Sequence, residues 1–130
     1  MTNPVQIANE RFSQNYSCSQ SVFSAFAPRF GLADEQAIKL ASPFGGGIAH
    51  QGHVCGAVTG ALMAIGLARG KTDPQDKDAV YQVAQAFMQK FEEKYSTVLC
   101  RELIDYDMRV PEEYLSTFSF SAFAVPLQNL

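Results

Sequence analysis

Residues 43–70 read PFGGGIAHQGHVCGAVTGALMAIGLARG, a glycine-rich loop that feeds an apolar helix. Between Lys39 and Arg69 there is no Asp, Glu, Lys or Arg, and from Val54 to Ala68 the residues are apolar or small on every side. A helix apolar all round has to be enclosed by other helices, so this stretch predicts the centre of an all-α bundle. Gly56, Gly60 and Ala64 recur at four-residue steps and leave one stripe almost without side chains, which lets a second backbone come close. Each glycine lowers helical propensity by about 1 kcal/mol relative to alanine, a loss that only close packing offsets.

The surrounding chain fits one helical domain. Its 130 residues are enough for a core without staples, and 47% hydrophobic against 18% charged residues, with a formal net charge of -3, gives neither a nucleic-acid footprint nor a disordered composition. The opening MTNPVQIANERFSQN lacks the basic start and apolar run of a signal peptide, and the central helix falls short of the roughly 20 residues a bilayer needs. The expectation is a soluble, cytoplasmic protein with no membrane insertion. Cys18, Cys55 and Cys100 are odd in number, widely spaced and without a CxxC, which is no secreted disulfide framework.

Outward from the centre, the pattern predicts five to six helices. Pro4 suits the first turn of a helix to about Asn15, with Val5, Ala8 and Phe12 on one face. Ser17-Cys18-Ser19-Gln20 has the form of a capping box before Val22, Phe23, Phe26 and Phe30, with Pro28 bending or ending that helix. Asp34 is read as the N-cap of a two-turn helix, Gly70 as the residue closing the central helix, and Asp73-Pro74 as the start of the next. There Val80, Val83, Ala84, Phe87, Phe91 and Tyr95 repeat at helical spacing. Ser96 or Thr97 caps a short last helix holding Cys100 and Arg101. The domain is drawn over residues 1–114. Residues 115–130 form an uncharged Phe/Ser-rich tail in no helical register, a segment suited to lying across an apolar groove.

On these boundaries each cysteine falls in the first turn of its own helix. Unpaired amides and the positive dipole end there favour a thiolate, making the sulfur a better nucleophile or metal ligand than a thiol of ordinary pKa, about 8.5. Arg101 beside Cys100, or a protonated His53 near Cys55, would add to the effect. As plain packing residues, the three would instead be small buried hydrophobes. His50, His53 and Cys55 form H-x-x-H-x-C, which with Cys18 or Cys100 could complete a tetrahedral zinc or iron site, although the spacing is no recognised zinc signature. Gly45, Gly46 and Gly47 lack a GK[ST] ending, so they are read as a turn lying close to the core rather than a nucleotide site.

The segments NYSCSQSV (15–22), FGGG (44–47), VCGAVTGAL (54–62) and CREL (100–103) resemble, in order over about residues 15–107, the redox-active C_GCAxxG_C_C proteins. The resemblance implies a small helical cytoplasmic protein, often near transporter functions, whose cysteines serve redox or metal chemistry. It places the family's cysteines on Cys18, Cys55 and Cys100, with Gly56, Ala57 and Gly60 completing the central motif. A fourth cysteine towards the C-terminal end has no counterpart here, where the Phe/Ser tail stands. The fold also looks like that of the split-Soret cytochromes c, which are haem-carrying dimers. Without a CxxCH this chain gives no ground for covalent haem.

The leading expectation is thiol redox or soft-metal chemistry, with Cys55 as the reactive thiol and Cys18 or Cys100 as its partner. The alternatives are a non-catalytic homodimeric module, in which the glycine stripe and the tail build the interface, and a non-covalent haem or cofactor binder. A homodimer and an unspecified redox or transport partner are expected, and nucleic acid is not.

Overall fold

A computed structural model describes residues 3–103. Within them lie six α-helices: α1 Pro4–Ser13, α2 Cys18–Phe26, α3 Asp34–Ala41, α4 Gly56–Arg69, α5 Lys77–Tyr95 and α6 Cys100–Leu103. Short 3-10 turns at Ala27–Phe30, Ser42–Phe44 and Pro74–Asp76 lead out of α2, out of α3 and into α5. The described residues hold no strand, only a lone antiparallel bridge between Val54 and Leu99. No helix among them is long and apolar enough to cross a membrane. The expectations for the 115–130 tail and for the domain edge at residue 114 lie outside the described residues.

The helix starts follow local chemistry. Asn3 and Gln6 form a capping box at α1, with Pro4 in the first turn, and Ser17 and Gln20 form the predicted one at α2. Asp34 is not an N-cap: Ala33 holds that position without a side-chain bond, and Asp34 is the first helical residue. Its carboxylate pairs with Arg11 instead. Gly70 ends α4 in extended rather than left-handed backbone, because the chain leaves the helix straight towards Asp73. Asp73 caps the 3-10 turn by accepting from the Gln75 amide, and Thr97 Oγ1 accepts from the Leu99 amide just before α6.

The centre of the bundle is a pair of helices. The α4 helix is buried from Gly56 to Ile65 apart from half-buried Thr59, Leu62 and Met63, then emerges at Gly66, Leu67 and Arg69. The α2 helix is buried along its whole length except for half-buried Gln20, and it packs against α1, α3 and α4. Buried serines are tolerated there because each hydroxyl has a partner. Ser19 donates to the Ala41 carbonyl at 2.8 Å, Ser21 to the Tyr16 carbonyl at 3.5 Å, and Ser24 accepts from Arg11.

Where α2 and α4 cross, glycine is a steric requirement. A methyl carbon on Gly56 would lie 2.8 Å from the Ser19 amide nitrogen, and one on Gly60 would lie 2.9 Å from the Ser19 carbonyl oxygen and 3.3 Å from the Phe23 amide nitrogen. Positions rise together along both helices, so α2 and α4 run in the same direction with their N-terminal ends side by side. That arrangement sets Cys18 beside Cys55. The α5 helix covers α4 with Phe87 and Phe91.

Arg11 ties α1 to both neighbours by donating to Ser24 and Asp34. Arg11→Ala removes a half-buried ion pair and leaves the Ser24 hydroxyl without that donor. The expected loss is about 1–2 kcal/mol in urea unfolding, with an unchanged helical circular dichroism spectrum.

Candidate functional site

All three cysteines are buried, at 1%, 0% and 1% exposure for Cys18, Cys55 and Cys100, and none is in a disulfide. Cys18 is the first residue of α2, Cys55 the N-cap of α4 and Cys100 the first residue of α6. Two further backbone bonds bring the Cys55 and Cys100 segments alongside: the Cys55 amide donates to the Val98 carbonyl at 2.8 Å, and the Cys100 amide to the His53 carbonyl at 2.7 Å. They flank the Val54–Leu99 bridge.

The electrostatics differ from thiol to thiol. A hydrogen bond from the Cys18 thiol is the largest influence on Cys55 and holds its pKa below the ordinary thiol value, against the opposing effect of burial. The Ala57 and Val58 amides at the start of α4 lower it further. Both amides stand at the open N-terminal end of α4, where hydrogen bonds to the sulfur favour its anion. Cys100 moves the other way. Burial, then the negative charge of Cys55, pushes it up to about 11. Tyr95 is raised by burial and by the same Cys55 charge, and its ring lies 4.8 Å from that of Phe91. Helical periodicity assigns Tyr95 to the packing face of α5. Its relation to Cys55 has no signal in the sequence, because the two residues meet only through the docking of α5 on α4.

The raised Cys100 thiol has a pH signature. A folded-state pKa above the unfolded one adds stability that is present below the unfolded pKa and is lost as pH rises through the folded one. The advantage of wild type over Cys100→Ser in urea unfolding is therefore expected to fall between pH 9.0 and about 11. A shift of that size corresponds to about 3 kcal/mol over the full window.

Against Ser17 and Cys100 lies the loop that leads from α3 to α4. Gly46, Gly47, Ile48, Ala49 and His50 have φ values of 63, 74, 61, 51 and 62°, five left-handed residues in succession. For the three non-glycine residues this costs about 1–2 kcal/mol each, and a β-branched residue such as Ile48 is least suited to it. Amides of residues 48–53 donate back to carbonyls of residues 43–48, which closes the segment on itself. Gly47 is buried with a methyl-carbon position only 2.7 Å from Cys100 Cβ, so the loop can lie on that cysteine only if residue 47 is glycine. Gly45 packs in the same way on Ser17, the cap of α2.

The residues expected as metal ligands are placed as follows. His50 and His53 are exposed, and the left-handed turn folds His50 back over Gly46. Among the described residues no group of three or more His, Cys, Asp and Glu side chains could hold a metal ion. Of the set Cys18, Cys55, Cys100, His50 and His53, the three cysteines are buried and the two histidines lie at the surface. Arg101 is exposed, with its Cβ and stem against Gly52, and no influence of its charge on Cys100 is resolved.

An all-α bundle with buried thiols at neighbouring helix starts defines a cysteine-centred helical protein. The sequence model of one family matches residues 16–119, with the description "Putative redox-active protein (C_GCAxxG_C_C)", and the protein belongs to that family. No curated protein and no solved structure matches the chain, so the likeness to split-Soret cytochromes c rests on the sequence reading alone. The match extends past Asp107 and into the Phe/Ser-rich segment. The family motif writes four cysteines, with glycine before the second, whereas this chain has three cysteines and reads Cys55-Gly56-Ala57. Position 56 accepts only glycine here, because any side chain would collide with the Ser19 backbone.

Proposed function

We propose that the protein performs thiol–disulfide exchange, with Cys55 as the attacking thiolate and Cys18 as the resolving thiol. The observation that carries this reading is the hydrogen bond from Cys18 to a Cys55 whose pKa is held low beneath two parallel helix starts. A nucleophile with an acidified sulfur and a protonated thiol in contact with it is what reversible exchange requires.

The Cys55 thiolate attacks one sulfur of a disulfide-bearing partner. The partner's S–S bond breaks, a mixed disulfide forms at Cys55, and the departing sulfur takes the Cys18 proton. The Cys18 thiolate so formed attacks the Cys55 sulfur, closing a Cys18–Cys55 bond and releasing the second partner sulfur, which is protonated from water. Two electrons pass from the protein dithiol to the partner, and a dithiol reductant reverses the sequence. Cys100, at a pKa of about 11, stays a thiol through this cycle.

The test is incubation of the reduced, folded protein with glutathione disulfide, followed by peptide mapping. The expected product is a Cys18–Cys55 disulfide with Cys100 still a thiol. A Cys55–Cys100 bond would contradict the assignment of roles, and thiols that stay reduced in the folded protein would contradict exchange itself.

A further inference from the structure

A thiol exposed to the extent of 0–1% cannot meet a partner's disulfide, so exchange at Cys55 requires part of the fold to move aside. The segments around the cysteines are not equally able to do so. Displacing α2 or α4 would open the backbone-to-backbone crossing at Gly56 and Gly60. The loop between Phe44 and Val54 is different. It is closed by its own hydrogen bonds and touches the rest of the site through Gly45 on Ser17, Gly47 on Cys100 and Gly52 on Arg101. Among the described residues, two of its backbone bonds reach across to α6, from Cys100 to His53 at 2.7 Å and from Arg101 to Gly52 at 3.3 Å. It is also the strained part of the chain, with Ile48, Ala49 and His50 all left-handed.

We infer that residues 45–53 form a strained lid over the thiol cluster, whose opening admits the disulfide of the exchange partner. The inference rests on the exchange reading for its purpose, but the lid is measurable without it. Left-handed backbone at three non-glycine residues raises the closed state in energy and brings the open state within reach. The glycines at 45 and 47 let the closed lid lie against Ser17 and Cys100. Ile48, His50 and His53 project on the outer surface, where an approaching partner meets them first.

Two variants move the equilibrium in opposite directions. Ala49→Gly/His50→Gly relieves the left-handed strain and favours closure. Gly47→Ala places a methyl carbon against Cys100 and favours opening. The readout is alkylation of each cysteine by iodoacetamide at several low urea concentrations, resolved by mass spectrometry. The expected result is alkylation of Cys55 and Cys100 at rates insensitive to low urea, about tenfold slower in the double glycine variant and faster in Gly47→Ala. Alkylation that rises with urea in step with global unfolding, or that is unchanged in the double glycine variant, would overturn the lid. If Gly47→Ala does not fold, the double glycine variant and the urea dependence still decide the question. Glutathione disulfide serves as the separate test of exchange. Gated alkylation without a Cys18–Cys55 disulfide would sink the exchange reading alone, and exchange at equal rates in every variant would sink the lid alone.

Discussion

Gly60→Val is expected to destabilise the protein by roughly 3 kcal/mol or more and to uncouple Cys18 from Cys55. The first side-chain atom would arrive 2.9 Å from the Ser19 carbonyl oxygen and 3.3 Å from the Phe23 amide nitrogen, both backbone atoms of buried α2 residues. Neither can rotate away, so α2 and α4 must separate, and the packing lost along them exceeds the gain of up to about 1 kcal/mol from removing a helical glycine. Gly66 on the same helix supplies the control, since nothing lies within 4 Å of its methyl-carbon position and it is exposed. Gly66→Ala is expected to stabilise by about 1 kcal/mol. Urea midpoints of the two variants should therefore shift in opposite directions. Equal shifts would mean that the crossing is not as close as described.

Cys55→Ser is expected to lower the rate of exchange with glutathione disulfide by roughly a thousandfold or more. A serine hydroxyl in the same place stays protonated at neutral pH, so the hydrogen bond and amides that favour a thiolate have no anion to act on. Cys18→Ser gives a different result. The attacking thiolate remains, but no sulfur is present to resolve the adduct, so a mixed disulfide with glutathione accumulates on Cys55. Cys100→Ser should leave exchange nearly intact. If Cys100→Ser, rather than Cys18→Ser, traps the mixed disulfide, the two thiols have exchanged roles.

The features legible in the sequence share a local cause. The Ser17–Gln20 capping box and the phenylalanine face of α5 depend on residues close in the chain and form as expected, whereas Asp73-Pro74 opens a 3-10 turn and α5 itself begins at Lys77. The Gly56–Gly60 stripe is legible too, since two glycines one turn apart in an apolar helix have few purposes other than close approach. It does not say which helix approaches, and α2 reads as amphipathic when it is in fact enclosed. The partners of its serines, Ala41, Tyr16 and Arg11, lie on other elements or beyond the helix start. Asp34 has the composition of a cap but is drawn into a tertiary ion pair with Arg11.

The thiol site follows the same division. Three cysteines at helix starts are visible as a pattern, whereas the choice of Cys18 as the hydrogen-bond donor to Cys55 is fixed by the parallel docking of α2 on α4. The left-handed run at Ile48, Ala49 and His50 is hidden for the opposite reason. None of those residue types favours that backbone, and the tertiary contacts on either side impose it. His50 belongs to that run, and both it and His53 lie at the surface.

Contact between the Cys18 thiol and an acidified Cys55 is the claim on which the chemistry stands, and thiolate absorbance in the ultraviolet reads it without requiring any reagent to enter the core. Titrated in the folded, reduced protein, one thiolate should appear with a midpoint below about 8.5, move upward in Cys18→Ala and vanish in Cys55→Ser. A folded protein in which no thiol ionises below that value, or in which Cys18→Ala leaves the midpoint where it was, would contradict the account.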